Sequence, residues 1–243
     1  LDKSWRLSHL YSIRNKSGNL VIFKPNLAQK HFMANAGHRN IILKSRQLGF
    51  TTLESIDSLD DALFIPNSNC LFIAQDLDTA ADIFFNKVDM PWRNFKLAHL
   101  YKVDTNSARQ MRFDFGDGTV STLTVDNTGR SGTFSRLHVT EFSLINKQSL
   151  AKTEEIISGT FPAVPINGRI DIESTAEIDY GLFHDMFWEA YERGEPKRPT
   201  DFKAHFYNWT WDKEEIAKCL PDSVPSEFKE YQRQIVKNAK ALA

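Results

Sequence analysis

The sequence predicts an α/β fold in which helices flank a mainly parallel β-sheet. Two observations support this prediction. Short runs of apolar and β-branched residues, typical of buried strands, alternate along the chain with segments whose apolar residues recur at helical spacing. The 243 residues, of which 41% are hydrophobic, suffice for one continuous core but are few for two full domains.

Four apolar runs have the length and composition of core strands. They are 40–43, 70–74, 137–139 and 169–173. Helical segments lie between and after these runs, with apolar residues three and four positions apart. They are Thr51 to about Leu63, 80–88, 150–157 and 182–191. We expect Asp76 or Asp78 to cap the second helix, because short acidic side chains accept hydrogen bonds from first-turn amides.

A hairpin and two terminal extensions complete the predicted fold. The β-like stretches 111–115 and 120–125 flank Gly116-Asp117-Gly118, a turn signal that predicts an antiparallel hairpin at the edge of the sheet. The aromatic run 202–211 is strand-like and is a candidate further strand. We therefore divide the chain into an N-terminal appendage, a core and a C-terminal helical extension, at 1–24, 25–220 and 221–243.

Charge and cysteine content limit the possible functions. The formal net charge of -1 provides no overall attraction for nucleic acid, so any DNA contact depends on a local basic patch or on further copies of the chain. Cys70 and Cys219 suggest neither a disulfide framework nor a thiolate metal site. No apolar stretch approaches membrane-spanning length, so we expect a cytoplasmic protein without a membrane partner.

A candidate phosphate loop lies between the first predicted strand and its helix. Its sequence is Lys44-Ser45-Arg46-Gln47-Leu48-Gly49-Phe50-Thr51-Thr52. Such a loop turns backbone amides and a helix N-terminus toward phosphate, and supplies a cation and a Mg²⁺-binding hydroxyl. Against the pattern G-x-x-x-x-G-K-[ST], Gly49 matches the second glycine and Thr51 the hydroxyl residue.

The lysine of this pattern is displaced. Phe50 occupies its usual position, but the flexible Lys44 side chain can reach phosphates from the start of the loop, and Arg46 supplies a second cation. The alternative interpretation is a solvated basic turn.

The loop resembles the deviant Walker A motif of the large terminase subunits of tailed bacteriophages and related viruses, in which the lysine stands at the loop's start and the core reads S-R-Q-x-G. Upstream, 25–29 resembles the adenine-recognising Q motif of that family, which implies that Gln29 reads the edge of adenine. The resemblance implies an ASCE-type, RecA-like P-loop NTPase fold with ATP and Mg²⁺ as ligands.

A second resemblance covers Asn127 to Glu141, which is similar to the family's segment from a glycine-arginine turn into the Walker B strand. A carboxylate at the end of a core strand can orient the water that attacks the γ-phosphate, and Glu141 is the candidate. Arginines stabilise the charge of the transition state. Arg46 is the candidate from the same chain, and the resemblance implies that Arg130 acts on the adjacent subunit. For Arg130 the alternative is a surface ion pair.

Thr140 departs from the family pattern, since many relatives carry an aspartate there that holds Mg²⁺ through water. A hydroxyl can hold the same water without a charge, so Thr51 and Thr140 are the predicted metal-side residues, that is, the side chains that hold Mg²⁺ directly or through water. We expect a weaker dependence on Mg²⁺ than an aspartate at position 140 would give. Unchanged Mg²⁺ affinity in a Thr140→Asp variant would contradict this expectation. His138 is expected to pack beside the strand, because no second ligand pattern accompanies it.

The segment Ile172 to Glu177 resembles the terminase coupling motif, in which small hydroxyl residues respond to the γ-phosphate. Ser174, Thr175 and Ala176 are the candidate coupling residues, since hydroxyls can exchange a bond to phosphate for one within the protein. Outside the family context, Ser-Thr-Ala after a strand is a common turn.

The four motifs occur in family order between about residues 25 and 178. The resemblance implies the ATP-hydrolysing motor domain of a terminase that translocates double-stranded DNA into the procapsid. It also implies partners: the portal protein, the small terminase subunit and further copies in a ring of five, docked on the procapsid in the cytoplasm of the infected bacterium. The alternatives are a helicase-like DNA translocase and a nucleotide-binding scaffold with little turnover. Since 243 residues leave no room for the family's nuclease domain, we expect no DNA cleavage by this polypeptide.

Overall fold

A mixed eight-stranded β-sheet lies at the centre of the computed structural model. The structure describes residues 2–129 and 132–212, without the side chains of 104–106. The strands are β1 (Ser12–Arg14), β2 (Leu20–Ile22), β3 (Arg39–Lys44), β4 (Asn69–Ile73), β5 (Lys102–Asn106), β6 (Gln110–Asp114), β7 (Val120–Asp126), β8 (Arg136–Thr140), β9 (Arg169–Ser174) and β10 (Lys203–Tyr207). The first two form a separate antiparallel pair.

Helices cover both faces of the sheet. They are α1 (Lys3–His9), α2 (Leu27–Asn35), α3 (Phe50–Phe64), α4 (Leu77–Ile83), α5 (Met90–Arg93), α6 (Phe142–Gln148), α7 (Leu150–Glu155) and α8 (Leu182–Arg193). Two π-helical segments, Phe84–Asp89 and Ile156–Thr160, continue α4 and α7. The predicted helices 80–88 and 150–157 are therefore each an α-helix that widens into a π-helix.

The strand order is β10-β3-β9-β8-β4-β7-β6-β5. The first six strands are parallel, and β6 is antiparallel to both of its neighbours, β7 and β5. The predicted mainly parallel sheet and its antiparallel hairpin are thus confirmed. Strand β9 lies between β3, which leads into the candidate phosphate loop, and β8, which ends at Glu141. An inserted strand at this place is the order of ASCE-type folds.

The four central parallel strands, β3, β9, β8 and β4, are buried on both faces, and neighbouring residues point to opposite sides. In β3, Ile42 belongs to the apolar cluster that includes Leu53 of α3, whereas Ile41 belongs to the cluster that includes Phe142 of α6 and Phe187 of α8. Such strands read as continuous apolar runs rather than alternating ones. This explains why the core strands were predictable from short apolar runs.

The N-terminal segment packs onto the core. Leu7, Tyr11 and Phe23 are buried in the same cluster as α3. The helix α1, the pair β1–β2, and the short elements α2, α5, α6 and β5 were not predicted. The run 202–211 forms strand β10 only over 203–207. The predicted extension 221–243 and residue Arg130 lie outside the described residues.

A buried ionic network joins α3 to the amino ends of β8 and β9. Arg136, with 2% of its side chain exposed, contacts four acidic side chains. They are Glu54, Asp57, Asp61 and Asp171. Lys3 of α1 and Arg169 supply further positive charge. Since an unpaired buried charge costs several kcal/mol, these groups stabilise the fold only as a set.

Candidate functional site

The candidate phosphate loop connects the carboxyl end of β3 to the first turn of α3. Two of its residues, Gln47 with φ 63° and Gly49 with φ 74°, have left-handed backbone conformations. Gly49 is the N-cap of α3 and gives that helix no side-chain cap. The free amides of the first turn of α3 therefore remain available for an anion.

The first turn of α2 holds the loop in place. Gln29 is 3% exposed and forms a capping box with Asn26. Its Nε2 donates to the carbonyl oxygen of Gly49 at 2.7 Å, and Asn26 Nδ2 donates to the carbonyl oxygen of Leu48 at 2.9 Å. In this arrangement the Gln29 amide binds the chain itself, and its contact with adenine stays a prediction.

Lys44 is buried at the base of the loop. Its Nζ lies 3.1 Å from Glu141 Oε1 and 3.0 Å from Glu173 Oε2, and its side chain is 6% exposed. Burial alone would lower the pKa of Lys44, but the two carboxylates outweigh burial and raise it. The ammonium is therefore charged and lies at the base of the loop, and its contact with phosphate stays a prediction.

Phe50 has a structural role at the usual lysine position. Its ring is 1% exposed and packs edge-on against Phe32, with 5.6 Å between ring centroids. The tilted ring of Tyr207 lies 4.9 Å away. The aromatic side chain thus anchors the start of α3 in the core while Lys44 supplies the charge.

Glu173, a fully buried residue of β9, was not predicted from the sequence as a site residue, although it contacts three residues that were. Its Oε1 accepts hydrogen bonds from the hydroxyls of Thr51 and Thr140, both at 2.7 Å. Burial would raise the pKa of Glu173, but the neighbouring Lys44 ammonium overcomes that effect and the pKa lies well below its usual range. The two predicted metal-side hydroxyls therefore meet at one buried, ionised carboxylate. The sequence signal that could have identified Glu173 was an acidic residue within the predicted core strand 169–173.

Glu141, the candidate catalytic base, follows β8 directly and adopts a left-handed conformation with φ 50°. Non-glycine residues rarely adopt this conformation, and such strain concentrates at functional sites. The side chain is 32% exposed, so water can reach it. Its Oε2 lies 3.3 Å from the Thr175 hydroxyl and 3.4 Å from the Thr175 amide nitrogen.

The candidate coupling residues lie beside Glu141. The Ser174 hydroxyl accepts a hydrogen bond from the amide of Ser143 at 3.1 Å, which ties the end of β9 to α6. The Thr175 hydroxyl also lies 3.2 Å from Glu177 Oε1. The same Glu177 oxygen lies 3.4 Å from the guanidinium of Arg46, whose side chain is 83% exposed. Arg46 therefore lies at the rim of the site, where its exposed side chain pairs with Glu177.

Several of these groups line a cavity of about 320 Å³. It is lined by Lys44, Arg46, Gln47, Gly49, Phe50, Thr51, Lys87, Glu141, Leu144, Thr175 and Glu177. Sequence reasoning missed the cation Lys87, which comes from a π-helical segment; burial lowers its pKa. Ala176 instead lines a neighbouring, mostly apolar cavity of about 600 Å³, whose lining does not suit a triphosphate.

The described residues contain no group of three or more His, Cys, Asp or Glu side chains that could hold a metal ion by themselves. The donors at the site are oxygens, from Thr51, Thr140 and Glu173, which is the chemistry that Mg²⁺ prefers. Magnesium commonly binds through one or two carboxylates together with substrate phosphates, so this donor set fits the ion as part of a nucleotide complex. Within the described part of the chain, no helix has the length and hydropathy to cross a bilayer.

The sheet order, and the loop that joins β3 to α3, define an ASCE-type P-loop ATPase fold. Among solved structures, the large terminase ATPase domain of Thermus phage P74-26 has a TM-score of 0.61 and 16% sequence identity, covering 86% of this chain and 92% of that one. The fold of this chain is thus that of large terminase ATPase domains. Neither a family model nor a curated protein matches its sequence.

Two further structures show the same likeness. The HK97 bacteriophage large terminase has a TM-score of 0.63 and 17% identity, covering 99% of this chain and 52% of that one. The large terminase of a thermophilic bacteriophage, in complex with ATP-gamma-S, has a TM-score of 0.52 and 11% identity, covering 82% of this chain and 48% of that one. This chain therefore spans about half the length of these two terminases.

Proposed function

We propose that this domain hydrolyses ATP to ADP and phosphate, and that hydrolysis drives double-stranded DNA into a viral procapsid. The observation that carries the proposal is the convergence of Lys44, Glu141 and Thr51 at the first turn of α3. A cation, a solvent-accessible carboxylate and a hydroxyl thus surround the helix start at which a phosphate would bind.

The residues have separate roles in this mechanism. The amides of the loop and of the first turn of α3 bind the phosphates, and Lys44 neutralises their charge. Glu141 orients the attacking water and accepts its proton. Arg46 turns inward from the rim toward the γ-phosphoryl oxygens, where charge rises in the transition state.

Lys44 also couples the catalytic base to nucleotide binding. Its ammonium contacts Glu141 in the described arrangement. When phosphate draws Lys44 toward the loop, the Glu141 oxygen becomes available to water. Magnesium, if bound with the nucleotide, would supply positive charge to the phosphates. Thr51 and Thr140 are the hydroxyls that would hold it, directly or through water.

The proposed motor function requires binding partners in addition to ATP. The chain shares its fold with large terminases, which are DNA packaging enzymes. This likeness supports double-stranded DNA, the portal protein and the small terminase subunit as partners. We infer that five copies form a ring on the procapsid, in the cytoplasm of the infected bacterium. Within this ring Arg130 acts on the neighbouring subunit. An Arg130→Ala variant is therefore expected to lose turnover with little loss of nucleotide affinity, and a normal hydrolysis rate would refute that role.

ATP turnover by the unsubstituted chain and by Glu141→Gln tests the proposal. We expect Glu141→Gln to abolish turnover while calorimetry shows retained ATP binding. The exposed Glu189→Gln on α8 is the matched control and should turn over normally. Absence of adenine nucleotide binding in excess Mg²⁺ would refute the proposal.

A nucleotide-binding scaffold is the second candidate function, and one observation favours it. Phe50 is committed to the core, so the usual lysine position provides no charge. Nucleotide binding without turnover in the unsubstituted chain would support this candidate. Duplex unwinding would instead indicate a helicase-like translocase.

A further inference from the structure

We propose that Glu173 is the metal-side carboxylate of this site, and that it takes the place of the acidic residue missing at position 140. The acidic partner of the phosphate-loop hydroxyl would then come from β9, not from the strand that carries Glu141. This inference rests on the proposed binding of ATP with Mg²⁺.

The register of two adjacent strands brings the carboxylate to this position. Thr140 of β8 and Glu173 of β9 are directly paired. From there Glu173 Oε1 lies 2.7 Å from the Thr140 hydroxyl and 2.7 Å from the Thr51 hydroxyl. In P-loop sites the metal is held by the loop Ser or Thr together with an acidic residue at a strand end. Here Glu173 contacts that loop hydroxyl directly.

The charge of the carboxylate fits the same role. The Glu173 side chain is fully buried, and its other oxygen, Oε2, lies 3.0 Å from Lys44 Nζ. A buried carboxylate is costly without a partner, and Lys44 is the partner in the described arrangement. When Lys44 moves toward phosphate, Glu173 loses that partner and a divalent cation can replace the ammonium charge.

The other acidic residue of β9 has different contacts from those of Glu173. Asp171, two residues earlier in β9, contacts Arg136 and Arg169 in the buried ionic network. Glu54 of α3 also contacts Arg136. Of these buried acids, Glu173 is the one with hydrogen bonds to the loop hydroxyl and the Walker B-type strand.

The test compares ADP affinity with Mg²⁺ and with EDTA, measured by calorimetry on the whole chain. For Glu173→Gln, we expect the gain in affinity due to Mg²⁺ to fall about tenfold or more, as is typical when a residue supporting a metal ion is lost. The affinity in EDTA should change much less. Adding Thr140→Asp to Glu173→Gln should restore the Mg²⁺ effect, and Glu189→Gln should leave both affinities unchanged.

Three results would overturn the inference. The first is an unchanged Mg²⁺ effect in Glu173→Gln. The second is an equal loss of ADP affinity with Mg²⁺ and with EDTA, which would show an anchoring role toward Lys44. The third is absence of ADP binding by the unsubstituted chain, which would overturn the proposed function as well.

A more conservative variant covers the case in which Glu173→Gln does not fold. Glu173→Asp keeps the charge but withdraws the oxygens by one methylene, so it should reduce the Mg²⁺ effect and retain the affinity in EDTA. An unchanged Mg²⁺ effect in this variant would contradict the inference. Near-ultraviolet circular dichroism of each variant establishes that it has the native fold.

Discussion

Replacing Gly49 by alanine is expected to destabilise the protein and to weaken nucleotide binding. Gly49 has a φ of 74°, a conformation unfavourable for residues with a Cβ. A Cβ at this position would lie 2.8 Å from Gln29 Nε2. That nitrogen donates the hydrogen bond that joins α2 to the phosphate loop. The methyl group therefore strains the loop and displaces its contact.

The magnitude follows from these two effects. The left-handed conformation costs an alanine about 1–2 kcal/mol. Loss of the Gln29 hydrogen bond costs about 0.5–1.5 kcal/mol. The free energy of unfolding should thus fall by about 1.5–3.5 kcal/mol, which in a protein of this size lowers Tm by roughly 3–14 °C.

Gly18 provides a matched control. Its φ is 79°, but a Cβ there would have no atom within 4 Å. Gly18→Ala should therefore show the conformational cost alone, about 1–2 kcal/mol. In a Gln29→Ala background the Gly49 methyl group has room, so Gly49→Ala should there cost no more than Gly18→Ala does.

Urea and thermal unfolding followed by circular dichroism measure the stabilities, and calorimetry measures ATP affinity. We expect weaker ATP binding in Gly49→Ala and unchanged binding in Gly18→Ala. Equal destabilisation by the two alanines would refute the role of the Gln29 contact. Unchanged ATP affinity in Gly49→Ala would refute the assignment of this loop to phosphate.

Three further predictions concern the charged groups. Burial, together with the nearby Asp171, raises the pKa of Glu54 to about 8. The folded state therefore keeps the Glu54 proton, whereas the unfolded state loses it above about pH 4.3. The free energy of unfolding should consequently fall as the pH rises from 5 to 8. Glu54→Gln should have a higher Tm than the unsubstituted chain at pH 8 and a similar Tm at pH 5, whereas parallel Tm curves would contradict the raised pKa. Arg136→Met removes the shared partner of four acidic side chains and should cost about 3–5 kcal/mol in urea unfolding, while Lys102→Met, which removes the pair of an exposed lysine with Asp114, should cost less than about 1 kcal/mol; similar losses would show that the network is not a stabilising set. Lys87→Met removes a cation from the cavity and should weaken ATP binding several-fold in calorimetry, with the exposed Lys147→Met as control; equal affinities would exclude Lys87 from phosphate binding.

The local features of the site were predictable because they lie within one short segment. The strand, the turn at Gly49 and the helix that follows are adjacent in sequence, and Lys44 stands at the strand end. A displaced lysine could therefore be proposed without knowledge of the fold. The N-x-x-Q pattern of Asn26 and Gln29 also signals a helix start, and the structure has the capping box there.

Glu173 could not be found in this way. Its role depends on β9 lying between β3 and β8, and no local pattern specifies which strands become neighbours. The same holds for the acids of α3. Asp57 and Asp60 would ordinarily mark an exposed helix face, but α1 covers them with Lys3 and Arg6.

These contacts of α1 bear on where a minimal version of the domain could begin. A chain shortened to start at residue 25 would lose Lys3 and Arg6, the partners of Asp57 and Asp60. Those acids lie on the helix whose first turn forms the candidate phosphate site. Recombinant fragments should accordingly keep the first 24 residues, since Asp57 and Asp60 of that helix would otherwise lose these positively charged partners.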